Sequence, residues 1–66
     1  MRLRHLGTDT GTAGCPALYA TDRDTYVVQG WKVVDPDAIA DLVDVRDNES
    51  YVEIPRTLLR HAEENR

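Results

Sequence analysis

The sequence has little of what normally holds a small protein together. Its 66 residues include one cysteine, Cys15, one tryptophan and no phenylalanine. An internal disulfide is therefore impossible, and a lone cysteine favours a reducing, cytoplasmic setting. A chain of this length forms one domain and buries only about 60% of the surface that its unfolded chain exposes. We expect a thin core, with homodimer formation as the additional source of stability.

Long apolar runs are also missing. No stretch approaches the roughly 18 apolar residues of a membrane-spanning helix. The N-terminal sequence MRLRHL, residues 1–6, is basic but is not followed by the apolar region of a signal peptide. The sequence therefore predicts a cytoplasmic protein with no membrane partner.

No motif for phosphate or calcium binding is complete. Residues 7–12, GTDTGT, resemble a phosphate-binding loop, but that loop requires a lysine and a following helix, and this stretch has neither. A calcium loop starting at Asp35 would need a ligand at its fifth position and glycine at its sixth, where the chain has Ile39 and Ala40. We expect no bound cofactor.

The residues for metal or nucleophilic chemistry are equally sparse. A zinc site needs about four ligands in close pairs, and the candidates are Cys15, His5 and His61. A nucleophilic Cys15 would need a histidine beside it in an electropositive setting, which nothing in the sequence requires. We therefore predict no metal site, no catalytic residues and no enzyme activity, with a Cys15-dependent redox protein or enzyme as a minor alternative.

Charge is unevenly distributed along the chain. There are 12 acidic and 8 basic residues, for a formal net charge of −4. Between residues 35 and 49 Arg46 is the only basic residue, and the acidic ones are Asp35, Asp37, Asp41, Asp44, Asp47 and Glu49. This balance argues against direct nucleic-acid binding, which usually needs a basic surface. An acidic face suits a basic protein partner, or it simply keeps the protein soluble.

The order of apolar, turn and helix-start signals predicts an α+β domain with a small antiparallel sheet and two short helices, in the order β-β-α-β-α. Residues 1–15 are predicted to be a flexible Gly/Thr-rich arm, and residues 16–66 the single α+β domain. Within that domain the predicted elements are a strand at 16–20, a turn at 21–24, a strand at 25–34, a helix from Asp35 to about Leu42, a strand at 51–54 and a helix from Pro55 to about Glu64.

Several positions carry finer expectations. Asp35 should cap the first helix, with Pro36 at its first position. Gly30 should mark a bulge or a close approach of another backbone. Val52 and Ile54 are expected to face inward, and the last helix to bury a stripe made by Leu58, Leu59 and Ala62.

The aromatic residues admit three interpretations. Trp31 and Tyr26 share the predicted second strand, where Trp31 fits the core, a protein interface or a stacking platform for single-stranded nucleic acid. If one sheet face stays open, Tyr19, Tyr26, Val28 and Val34 would form an apolar patch for a second subunit.

Three stretches give a family resemblance: Tyr26–Val33 (YVVQGWKV), Asp35–Ala38 (DPDA), and Val52–Pro55 (VEIP) before a Leu-rich helix. With these, the chain resembles small uncharacterised actinobacterial proteins. More distantly it is similar to a domain-of-unknown-function family encoded beside helix-turn-helix regulators. The features shared with that family are a Gly-rich arm ending at Cys15, the stretch Val45–Asp47 and a strand running into Pro55. The resemblance implies a regulatory accessory protein, antitoxin-like or toxin-like, that pairs with a DNA-binding regulator.

The leading hypothesis is thus a non-catalytic protein-interaction module, an accessory partner of a DNA-binding transcriptional regulator. Its predicted contact residues are Trp31, Tyr26, Asp37, Asp41 and Asp44. The alternative is a small nucleic-acid-binding protein that uses Trp31 and the basic residues Arg2, Arg4, Lys32, Arg56 and Arg60.

Overall fold

The computed structural model describes residues 1–9 and 16–64. Within these ranges the strands are β1 (Leu3–Thr8), β2 (Ala17–Thr21), β3 (Tyr26–Gln29), β4 (Trp31–Lys32) and β5 (Val52–Glu53). The helices are α1 (Pro36–Ala40), a 3₁₀ helix (Arg56–Leu59) and α2 (Arg60–Glu64), which continues directly from the 3₁₀ helix. The predicted α+β class, with small antiparallel sheets and short helices, is confirmed.

The strand predicted at 16–20 and the first part of the strand predicted at 25–34 form a β-hairpin, β2–β3. β1 pairs with the other edge of β2, which is the central strand of a three-stranded antiparallel sheet. The hairpin turn is closed by Thr21, whose amide donates to the Thr25 carbonyl at 2.9 Å and whose hydroxyl accepts from the Arg23 amide at 3.0 Å. Asp24 has a φ of 61°, in the left-handed region that Asp tolerates better than most residues. The turn chemistry therefore fixes the pairing of β2 with β3.

The prediction of a flexible arm over residues 1–15 is wrong for its first part, because Leu3–Thr8 forms β1 and pairs antiparallel with β2. The pairing shifts between His5 and Gly7, which leaves Leu6 in a β-bulge. Residues 3–8 have no β-branched residue except Thr8, so long-range pairing with β2, and not local propensity, makes this strand. The rest of the predicted arm, residues 10–15, lies outside the described residues.

The predicted long strand at 25–34 is divided at Gly30 into β3 and β4, which belong to different sheets. β4 pairs with β5 through Trp31 opposite Glu53. A Cβ atom on Gly30 would lie 2.6 Å from the Glu53 carbonyl oxygen, so the expected close approach of another backbone is confirmed.

Helix α1 begins as predicted at Asp35, whose Oδ1 accepts from the amides of Asp37 at 2.9 Å and Ala38 at 3.4 Å. It ends at Ala40, about two residues earlier than expected. None of its residues is buried. A single turn is marginal without a cap, so the Asp35 carboxylate and Pro36 are the main local source of its stability.

The C-terminal helix differs from the predicted apolar stripe. Leu58 is fully buried, whereas Leu59 is 54% exposed. The first turn is 3₁₀, in which residues three apart lie on the same side, so Leu58 and His61 face inward together. Val52 is likewise 42% exposed and does not face inward as predicted, while Ile54 is half-buried.

The core is as thin as the composition predicts. Among the described residues, the buried apolar side chains are Ala17, Leu18 and Leu58. The 3₁₀ helix packs on β2 and α2 packs on β1, so this core lies between the three-stranded sheet and the C-terminal helices. The Cα radius of gyration is 13.1 Å, against about 10.8 Å for a compact chain of this length. Much of the chain therefore lies outside the packed region.

A polar cluster holds the C-terminal helices on β1. The Thr57 hydroxyl donates to Asp9 Oδ2 at 2.5 Å. Asp9 Oδ1 lies 3.8 Å from His61 Nε2 and 4.0 Å from Arg60 Nη2. The His61 ring lies against Gly7, where a Cβ atom would approach ring atoms to 2.2 Å. The imidazole therefore occupies space that only a glycine in β1 leaves open.

We expect Gly7→Ala to destabilise the protein by about 1–3 kcal/mol, because the new methyl group forces the His61 ring off the sheet. A double-mutant cycle with His61→Ala, measured by urea unfolding, tests this directly. In the His61→Ala background the ring is gone and Gly7→Ala should cost much less. Additive effects of the two substitutions would contradict this arrangement.

Candidate protein-interaction site

Residues 34–53 hold most of the acidic residues, and we call them the acidic segment. Exposed apolar side chains are concentrated in the same stretch. The described residues include ten large apolar side chains that are exposed. Six of them lie in this segment: Val34, Ile39, Leu42, Val43, Val45 and Val52. Val34 and Val43 are the most exposed of these, with 79% and 83% of their surface accessible to solvent. Single exposed apolar residues are normal, but a concentration of them marks an interaction surface.

Five valines from distant parts of the chain line one open groove of about 720 Å³. They are Val28 of β3, Val33 and Val34 after β4, Val45 after α1, and Val52 of β5. We call this cavity the valine groove. The break at Gly30 makes it possible, because it lets β4 leave the main sheet and pair with β5. The groove extends into a second depression of about 450 Å³ that shares Val33, Val34 and Val52 and reaches Asp35 and Ala38.

Three of the acidic residues have a local structural role. Asp35 caps α1. Glu49 Oε1 accepts from the Arg46 amide at 3.0 Å and so closes the turn before β5. Asp44 has a φ of 55°, a conformation that favours Asp, Asn or Gly over other residues. These three positions have a structural reason to be acidic or polar, whatever they bind.

Asp41, in contrast, destabilises the helix that it ends. It is the C-cap of α1, the negative end of the helix, and no basic residue lies in the last turn. Acidic residues are favoured at a helix N-terminus and disfavoured at its C-terminus. The carboxylate of Asp41 therefore adds negative charge to the segment at a small cost to the helix.

The five predicted contact residues do not form one surface. Asp37, Asp41 and Asp44 lie together on and just after α1. Tyr26 is 53% exposed, but it lines a separate depression on the three-stranded sheet, together with Arg4 and Leu6. Trp31 is half-buried in β4 and is not part of the groove lining.

The apolar patch expected for a second subunit is also divided. Val28 and Val34 both line the valine groove. Val28 is the cross-strand partner of Leu18, so the two side chains lie on one face of the sheet. Tyr19 follows Leu18 in β2, and side chains alternate along a strand, so Tyr19 lies on the other face. There its hydroxyl donates to Gln29 Oε1 at 2.8 Å and its ring meets His5 edge-on, with ring centroids 5.4 Å apart. Sequence reasoning missed Val45 and Val52 as groove residues, because only the tertiary fold brings them beside Val34.

The cations proposed for nucleic-acid binding are dispersed. Arg2 and Arg4 share a depression with Asp22. Lys32 lines the valine groove, which Glu49 also lines. Arg60 lies 4.0 Å from Asp9 and 3.9 Å from Glu64, which offset its charge. This placement gives the alternative function no continuous basic surface among Arg2, Arg4, Lys32 and Arg60.

Two further findings concern the described residues, 1–9 and 16–64. Among them, no group of three or more potential ligands is placed to hold a metal ion, and no helix has the length and apolar character to cross a bilayer. Cys15 lies outside these ranges. Comparisons with protein-family models, with curated proteins and with solved structures found no match.

Proposed function

We propose that this protein is a protein-interaction module whose acidic segment binds a positively charged partner protein. The observation that carries the proposal is the concentration of six exposed apolar side chains in residues 34–53, the same stretch that holds most of the carboxylates. Interfaces combine an apolar centre with charged surroundings that select and steer the partner. The acidic segment has both features in one continuous stretch.

The thin core supports the proposal. Among the described residues the buried apolar side chains are Ala17, Leu18 and Leu58, whereas ten large apolar side chains are exposed. A bound partner would therefore bury apolar surface that the chain leaves in water. A DNA-binding transcriptional regulator, which the family resemblance favours, is the partner we propose, because DNA-binding proteins carry basic surfaces.

The partner can be sought by affinity purification from the native host, with the full chain as bait and quantitative mass spectrometry as readout. We expect a helix-turn-helix protein to be enriched, with enrichment that falls as salt is raised, because exposed charges are screened. The matched bait carries Asp37→Asn, Asp41→Asn and Asp44→Asn. Asparagine tolerates the left-handed conformation at Asp44, so this bait removes charge while keeping the backbone.

The two baits separate the possible outcomes. Loss of the partner from the asparagine bait, with an unchanged circular dichroism spectrum, supports recognition through the acidic segment. Recovery of no DNA-binding protein by the native bait would count against the proposed regulator partner. Equal enrichment by both baits would show that these three carboxylates do not contribute to recognition of the partner.

A further inference from the structure

We infer that the valine groove is the docking site for a basic amphipathic helix of the partner, with apolar side chains on one face and Arg or Lys on the other. This inference rests on the proposed function and names the site and the chemistry of the bound segment. It depends on three observations: the open apolar lining, the sign of the surrounding charge, and the poor fit of a second copy.

The lining leaves apolar surface in water. Val34 is 79% exposed, Val45 45% and Val52 42%. They come from three parts of the chain, yet they line one cavity of about 720 Å³. That volume lies within the roughly 300–1,000 Å³ range of binding pockets. Apolar side chains of an incoming segment would fill the groove and remove these three valines from water.

The charge around the groove selects a cation. Glu49 lines it directly, and Asp35 and Glu53 line the adjoining depression. Lys32 is the one cation in either lining. Three carboxylates against one ammonium leave a net negative rim, which α1 extends through Asp37 and its C-cap, Asp41. Complementary potential raises the association rate of a basic segment and disfavours an acidic one.

A second copy of the chain fits the groove poorly. In a two-fold symmetric dimer whose axis passes through the groove, the groove of one copy would face the groove of the other. Glu49 and the adjoining carboxylates of one copy would then lie against those of the other, and like charges in contact oppose association. The expected homodimer, if it forms, would use another surface. The groove is therefore assigned to a different chain of opposite charge.

The test is a titration of the isotopically labelled full chain, followed by NMR. The probe is a synthetic helix-forming peptide of about four turns with Leu on one face and Arg on the other. The control peptide replaces every Arg with Glu. We expect the Arg peptide to shift the amide signals of Val34, Val45 and Val52, and the Glu peptide to leave them unchanged.

Matched variants sharpen the test. Val34→Ser combined with Val45→Ser should weaken binding of the Arg peptide at least tenfold while the protein stays folded, because both side chains are already exposed. Val43→Ser and Leu59→Ser are controls, since these residues are 83% and 54% exposed but do not line the groove. Neither control should change the affinity by more than about twofold.

Charge variants should act with opposite signs. Glu49→Gln keeps an oxygen acceptor for the Arg46 amide but removes a charge, and should weaken binding severalfold. Lys32→Gln should strengthen it severalfold, because it removes the one cation from the lining. Equal affinity for the two peptides, or effects of the same sign for the two variants, would overturn the charge assignment.

Three results would overturn the groove as the site: no binding of the Arg peptide at low salt, signal shifts confined to β1 or to the surroundings of Tyr26, and dimerisation that masks the groove, seen by analytical ultracentrifugation. The same Val34→Ser/Val45→Ser variant used as bait distinguishes the two proposals. Enrichment of the partner by this variant would refute the groove and leave the interaction module intact. Failure of every bait, with normal peptide binding, would refute the proposed partner but not the groove.

Discussion

Leu58→Ala is expected to leave most of the chain unfolded at room temperature. Leu58 is one of two large side chains that are fully buried among the described residues. Truncating a buried leucine to alanine costs about 2–5 kcal/mol, through lost burial and the cavity left behind. A single core in a chain this small supplies only about 3–5 kcal/mol. The loss therefore approaches the whole stability of the protein.

The adjacent leucine provides the control. Leu59 is 54% exposed, and Leu59→Ala removes the same atoms one position along the chain. It should change the free energy of unfolding by less than about 0.5 kcal/mol. Circular dichroism during urea unfolding compares the two variants with the native protein. Similar midpoints for the two variants would contradict the placement of the core.

The elements fixed by local chemistry could be predicted from the sequence. The hairpin turn depends on polar residues that close it among themselves, with Thr21 and Thr25 in direct contact. The start of α1 depends on Asp35 and Pro36, two residues that act within one turn of the helix. Such signals involve neighbours in the chain, so they are visible in the sequence.

The features that the sequence did not reveal depend on distant partners. β1 exists because β2 offers it a pairing edge. Leu58 and Leu59 are chemically identical, and the side of the 3₁₀ helix that packs on β2 decides which one is buried. Local propensity carries no information about either outcome, since tertiary context overrides it.

The candidate site divides in the same way. The acidic residues of α1 were predicted as contacts because their charge is visible in the sequence. The valine groove was not predicted, because Val28, Val45 and Val52 meet only after β4 leaves the main sheet. Tyr26 and Trp31 were grouped because they share one apolar stretch, and the break at Gly30 places them in separate sheets.

That break makes Gly30→Ala the substitution with the most informative effect. The φ angle of Gly30 lies outside the left-handed region, so alanine meets no backbone penalty there. By reducing the freedom of the unfolded chain, the substitution alone would stabilise by about 0.4–1 kcal/mol. The added Cβ would, however, lie 2.6 Å from the Glu53 carbonyl oxygen and 2.7 Å from Ile54 Cγ2. We therefore expect a net destabilisation of about 1–3 kcal/mol, since backbone must move to relieve the contact.

The location of the effect distinguishes it from a general loss of packing. β4 and β5 should separate, because Trp31 pairs with Glu53 across the site of the clash. The β2–β3 hairpin pairs through other residues and should persist. Hydrogen exchange should then accelerate at Trp31 and Glu53 while the Leu18 amide stays protected. Arg23→Ala, at an exposed position in the hairpin turn, is the control and should leave both regions protected. Because β5 supplies Val52 to the groove, Gly30→Ala should also weaken binding of the Arg peptide. Uniform loss of amide protection in both regions would instead show that the two sheets unfold as one unit.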